Sequence, residues 1–211
     1  MRDAILVGWE SSASYLLGEG SLDSQKEAQL LEFARDYEFS QEDLDRNGFY
    51  TKLVKAAVLR DLDEGKCPAR YNATGLPFNF LKSENLIWAF RDVSCYEEKI
   101  HREYVGGSSG VSVRIAKGIS YRVGSHRGTP VESSEIALID SGIMAVTTKH
   151  VYFQGQKKAF RIRFNKIVSI TPYSDGVGIQ RDAISAKQQL FITEDGLYTY
   201  NLSTSVANQF Q

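Results

Sequence analysis

Between Ile136 and Ile170 apolar and polar residues alternate in short runs separated by turn-forming stretches. Ile136, Leu138 and Asp140 alternate with their neighbours up to Ser141-Gly142, which reads as a turn. Ile143 to Val146 and Val151 to Phe153 follow. A Gln154-Gly155-Gln156 turn then leads into Phe160, Ile162 and Phe164, interleaved with Arg161 and Arg163. A period of two marks strands with one face buried and one wet. Tight turns pair each strand with its sequence neighbour, so the expectation is an antiparallel meander.

Upstream the period changes to that of a helix. Ser24 and Glu27 form a capping-box pattern ahead of Leu30, Leu31, Phe33, Ala34 and Tyr37, where each polar side chain can satisfy an orphan backbone N–H. Ser40 is set to cap a short turn that Asn47-Gly48 would stop. Tyr50, Leu53, Val54, Ala57, Val58 and Leu62 then recur at helical spacing, with Gly65 placed for a C-terminal cap. A weaker helix is expected around residues 4–17.

Residues 68–77, with two prolines and a glycine, read as a linker. Beyond it, Leu86, Trp88 and Phe90, then Tyr96, Glu98 and Ile100, suggest two strands about an Asp92-Val93-Ser94 bend. Val111, Val113 and Ile115 alternate up to Lys117-Gly118, and Ile119, Tyr121 and Val123 return. That is a hairpin.

Charge sharpens the division. Residues 1–67 carry 8 Lys and Arg against 14 Asp and Glu, a net of −6, whereas residues 68–211 carry 17 against 12, a net of +5. An acidic helical module, 1–67, therefore precedes a mildly basic β module. The two cysteines, Cys67 and Cys95, stand far apart without a disulfide framework, and no signal peptide or membrane-span pattern is seen. These features point to the cytoplasm.

Three stretches invite a chemical reading. Asp43-Leu44-Asp45-Arg46-Asn47-Gly48 matches the first half of a calcium loop, but Val54 stands where the bidentate carboxylate belongs. Gly106-Gly107-Ser108-Ser109-Gly110 satisfies G-x-S-x-G, with Asp140 and His150 downstream in the order of a hydrolase triad. That motif needs a strand before the serine and a helix after it, and here a strand follows. A serine hydrolase at Ser108 is thus a remote alternative. Three histidines and two cysteines share no metal-ligand spacing; His150, beside Lys149, reads as a surface or hairpin residue. No catalytic residue, metal or cofactor is expected.

Other residues carry a resemblance. Lys82-Ser83-Glu84 ahead of an apolar strand resembles the lysine-glycine-glutamate that opens bacterial pleckstrin-homology-like, or GRAM-like, domains. Residues 142–153, GIMAVTTKHVYF, look like their second and third strands, and Arg161 to Ile167 like the next. Tyr198, Leu202, Val206 and Phe210 are spaced for the helix that plugs one end of such a barrel. The resemblance spans about 78–211, with 97–135 as an inserted hairpin. It implies an antiparallel pleckstrin-homology-like β-barrel with a C-terminal helix; the small N-terminal helical module, read from its periodicity, has no place in the resemblance, and together they make an α+β protein.

The resemblance also implies a non-enzymatic binding platform, and the leading expectation is an interaction module that docks a protein partner. The alternative is peripheral membrane or acidic-lipid binding through a basic strand face. Lys157 and Lys158 sit on a turn, Arg161 and Arg163 project from one side of the next strand, and Lys149 is a neighbour across the hairpin. An excess of +5 alongside 12 acidic residues argues against nucleic acid. Edge strands of an unclosed sheet would offer a route to homo-oligomers.

Overall fold

The computed structural model describes residues 2–18, 22–68, 74–105, 111–116, 119–123, 129–183 and 186–210, and for 99–134 the backbone only. Four helices come first: α1 (Arg2–Gly18), α2 (Ser24–Asp36), α3 (Gln41–Leu44) and α4 (Phe49–Asp63). The cap of α2 is Asp23 rather than Ser24, its carboxylate accepting from the N–H groups of Gln25 and Lys26 at 2.8 and 2.9 Å. Ser40 caps α3 as expected, in a reciprocal box with Asp43. Gly48 adopts φ +72°, a conformation that lets α3 and α4 follow each other through a tight corner. Leu6, Trp9, Ala13, Leu30, Ala34, Leu53 and Ala57 bury together between the helices.

The calcium-loop residues are engaged elsewhere. Asp43 caps Ser40 and pairs with Arg2 at 3.2 Å, Asp45 accepts from the Thr51 N–H and hydroxyl, and Asn47 donates to Glu10 at 2.8 Å. These hydrogen bonds stabilise the helix corner and engage both carboxylate oxygens of Asp45 and Oδ2 of Asp43.

Seven strands form one antiparallel sheet: β1 (Leu86–Val105), β4 (Thr129–Thr147), β5 (His150–Gly155), β6 (Ala159–Arg163), β7 (Ile167–Pro172), β8 (Gly176–Arg181) and β9 (Gln189–Ile192). Their order is β6-β5-β4-β1-β9-β8-β7, so β6 and β7 are edges and the sheet does not close. β2 (Val111–Ala116) and β3 (Ile119–Val123) pair separately. The Lys117-Gly118 turn and the Gly106–Gly110 loop lie outside the described residues.

Two sequence expectations change here. The Asp92 bend does not end a strand: β1 continues for 20 residues, with Arg91 and Asp92 bulged out between the Phe90 and Val93 pairings and Asp92 at φ +55°. A bulge absorbs extra residues by bending the strand, and Asp tolerates the left-handed conformation better than most. Nor do Ser141 and Gly142 form a turn. They lie within the 19-residue β4, and a Cβ on Gly142 would come 2.0 Å from the Gln154 carbonyl oxygen. Glycine is there so that β5 can approach. The turn instead falls at Thr148-Lys149.

Beyond Glu97 and Ala137 the β1/β4 pair leaves its neighbours and runs on as a two-stranded arm to Val105 and Thr129. At its base the sheet curves until its two halves meet, with Phe153 and Phe160 centred 5.9 and 6.3 Å from Phe191. α5 (Gly196–Phe210) covers this interior with Tyr198, Leu202 and Val206, three of the four residues its spacing singles out. α4 joins the same core through Val58 and Leu62, and Lys55 meets Asp195 at 2.6 Å. The helical module therefore packs on the β module. Among the described residues no helix is long and apolar enough to cross a membrane.

Candidate functional site

The segment before β1 crosses the outer face of the sheet. Leu76, Phe78, Phe80 and Leu86 cover Ala89, Ala145 and Tyr152, with the Phe78 and Phe80 rings 5.7 and 5.2 Å from that of Tyr152. Small residues on the inner strands leave room for this strap, which ends at Glu84.

The Glu84 side chain is fully buried, and four donors surround its carboxylate. The Leu81 N–H (2.8 Å) and the Tyr152 hydroxyl donate to Oε1, while the Thr147 hydroxyl (2.7 Å) and His150 Nδ1 (2.8 Å) donate to Oε2. Thr147 is oriented for this because its oxygen accepts from the His150 N–H at 2.9 Å. Burial alone would raise the Glu84 pKa, yet the bonds from Tyr152, Thr147, His150 and Leu81 outweigh it and hold the group below the usual carboxylate value. Burial, followed by Glu84, pushes the Tyr152 phenol up. A carboxylate accepts about four hydrogen bonds, so this one is saturated. It anchors the strap.

His150, read as a surface or hairpin residue, opens β5 in the β4–β5 hairpin and is buried rather than at the surface. Asp140 and His150 do not meet as a triad pair. Asp140 accepts from the N–H groups of Lys157 (2.6 Å), Lys158 (2.8 Å) and Ser141 (2.9 Å), which lower its pKa, the Lys157 bond most. Ser108 lies outside the described residues.

The five basic residues singled out from sequence separate into groups. Arg163 pairs in register with His150 and Arg161 with Tyr152, so both arginines stand on the outer face of β6. Lys149 and Arg163 line one cleft of about 280 Å³ together with Ser83 and Asn165. Lys157 and Lys158 occupy the turn at the other end of the β5/β6 hairpin, where their backbone is fixed by Asp140. No ion pair to an acidic residue forms at any of the five among the described residues.

The arm presents a different surface. Ile136 and Leu138, on one face of β4, are 65% and 52% exposed, opposite Glu98 and Tyr96 on β1. No group of three or more His, Cys, Asp or Glu placed to hold a metal occurs among the described residues. Glu84, Thr147, Tyr152, Ser83 and Asn165 were not singled out as site residues by the alternation pattern. The only signal was the Lys82-Ser83-Glu84 step ahead of an apolar strand.

Compared with protein-family models, with curated proteins and with solved structures, the chain matches none of them.

Proposed function

We propose that this protein is a non-enzymatic, cytoplasmic interaction module of pleckstrin-homology-like architecture that docks a protein partner. The observation that carries the reading is the β1/β4 ribbon where it leaves the sheet, which presents Leu138 at the base of the arm and Ile136 just beyond it to solvent. Adjacent exposed branched side chains on a projecting ribbon favour a partner over solvent. Beyond Glu97 the arm pairs with no third strand among the described residues, and an extended segment could add to its edges through main-chain hydrogen bonds.

The architecture has its own support. β1, β4, β5 and β6 form one meander, β7, β8 and β9 a second, and a C-terminal helix caps the space between them. The sheet is open, not closed into the barrel that the resemblance implies. The site chemistry agrees with a binding role, since the Glu84 carboxylate has no lone pair left to act as a base. Two unpaired cysteines suit a reducing compartment.

The test is site-specific photocrosslinking in an extract of the producing organism, with the reactive residue at Ile136 or at the exposed Val168 of β7. A single adduct of defined size is expected from position 136. It should persist at high salt and disappear when Leu138→Asp is added. Absence of any adduct, or equal adducts from both positions, would overturn the proposal.

A further inference from the structure

An open groove of about 760 Å³ lies between α1 and α2. Its buried lining includes Trp9, Leu16 and Leu30, and the Trp9 indole is fixed there by donating to the Leu30 carbonyl at 3.1 Å. Tyr15 and Phe33 line it from outside, 68% and 39% exposed. Among the described lining residues only Lys26 carries a charge.

The α1 side of the groove leaves room for another helix. Ala4, Gly8, Ser11 and Tyr15 are all exposed and follow one another at steps of four, three and four, the spacing of a helix-pair seam. All but Tyr15 are small. Glycine is a poor helix former, and Gly8 has no left-handed φ to require it. Nor does the fold crowd this position: a Cβ there would meet nothing within 4 Å beyond its own stretch of helix. The space over Gly8 is open to an outside side chain. Ser11 and Ser12 donate to the Val7 and Gly8 carbonyls at 2.8 and 3.0 Å, so covering their hydroxyls strands no donor.

Charge and shape select the occupant. Every exposed position of α1 from Ala4 to Gly18 is uncharged, and the half-buried Glu10 accepts from Asn47. Residues 1–67 carry a net of −6, so two copies of this module repel each other in general but meet no like charges along this seam. The seam also carries both a protruding side chain, Tyr15, and two turns away the space to receive one, over Gly8. A surface holding knob and hole together is self-complementary, as a two-fold contact requires.

We propose that α1 docks antiparallel against α1 of a second copy of this chain, the two-fold axis passing between Ser11 and Ser12. In that register Tyr15 enters the groove over the partner's Gly8, and Ser11 faces the partner's Ser12. α1 has 17 residues and is about 25 Å long, so with α2 beside it the face spans roughly 500 Å² on each copy. That lies at the low end for a specific interface, and a dissociation constant in the micromolar range is expected. The contact uses neither the arm nor the edge strands.

Sedimentation equilibrium of the full chain, from about 1 µM to about 500 µM, reads the association. Four variants accompany it: Gly8→Glu, which fills the hole with a charged side chain; Tyr15→Ala, which removes the knob; Leu138→Asp on the arm; and Val168→Asp on the edge strand β7. Wild type should pass reversibly from monomer to dimer and stop there. Gly8→Glu should stay monomeric, and Tyr15→Ala should raise the Kd about tenfold or more. Leu138→Asp and Val168→Asp should dimerise as wild type does. Thermal unfolding of Gly8→Glu, measured below the wild-type Kd, should show no loss of stability, since a better helix former enters open space. If that variant fails to fold, the exposed Tyr15→Ala decides alone. A wild type that is monomeric throughout, association that runs on past the dimer, groove variants that dimerise unchanged, or dispersal by Leu138→Asp or Val168→Asp would overturn the proposal.

Discussion

His150 Nδ1 lies 2.8 Å from Glu84 Oε2, joining residues that are 66 positions apart in the chain. Through this pair the strap that enters β1 is locked to the β4–β5 turn. Replacing Glu84 by Ala leaves the Tyr152 hydroxyl, the Thr147 hydroxyl, His150 and the Leu81 N–H without their shared acceptor. A loss of about 3 kcal/mol is expected, as for other buried charge networks that lose one member. Urea unfolding of the variant measures it, and a loss within error of zero would refute the anchor role.

The same carboxylate makes stability depend on pH. Its folded pKa lies below the ordinary value of 4.5, so the contribution is present above that value and is lost as pH falls through the folded pKa. Wild type and Glu84→Gln should therefore differ by a constant amount near neutrality. The gap should narrow below about pH 4.5 as the wild-type group protonates. Unfolding free energies across a pH series would show this narrowing, and a gap that widens in acid would contradict it.

Two glycines separate steric need from backbone need. Gly142→Ala puts a Cβ 2.0 Å from the Gln154 carbonyl oxygen, which forces β4 and β5 apart. The expected cost is about 3 kcal/mol. Gly48→Ala meets no atom within 4 Å but must keep φ +72°, so its cost should be about 1 kcal/mol. Denaturation midpoints of the two variants give the ranking directly.

Val58 and Leu62 of α4 belong to the same core as Tyr198 and Leu202 of α5. The helical and β modules should consequently unfold together. The chain has two tryptophans, Trp9 in the helical cluster and Trp88 in the sheet core, so Trp88→Phe and Trp9→Phe each leave one local reporter. Coincident fluorescence transitions are expected, and Leu62→Ala should lower both midpoints, with a loss of about 3 kcal/mol. Two separated transitions would show that the modules are independent.

The thiols should differ in reactivity. Cys67 is exposed, while Cys95 is buried and its pKa is pushed up to about 12, first by burial and then by Glu97 and Asp140. A thiol reagent should therefore label Cys67 in the native protein and reach Cys95 only on unfolding. Mass spectrometry of the labelled chain distinguishes the two.

Legibility followed the range of the interaction. α4 and α5 were readable because one repeating face decides a helix, and β5 and β6 because alternation decides a strand. Gly142 misled because glycine after serine signals a turn, whereas its role depends on β5 packing over it. Asp92 signalled a bend correctly, but whether a bend ends a strand or only bulges it depends on the partner. His150, between Lys149 and Val151, reads locally as a surface or hairpin residue, and only the hairpin half of that reading holds. Its burial comes from Glu84, and no local pattern encodes a partner that distant. The basic residues were found as a group, but only the pairing of β5 with β6 divides them between a cleft and a turn.

The anchor at the foot of the β1/β4 hairpin also isolates what lies above it. Glu84, Thr147 and His150 bind the two strands where they enter the sheet, and the arm beyond Glu97 pairs with neither β5 nor β9. Extending a loop costs only about 0.6 kcal/mol for each doubling of its length. The tip can accordingly be lengthened, shortened or exchanged for foreign sequence while the fold beneath it stays intact. The architecture is a graft site in which recognition can diverge without renegotiating stability.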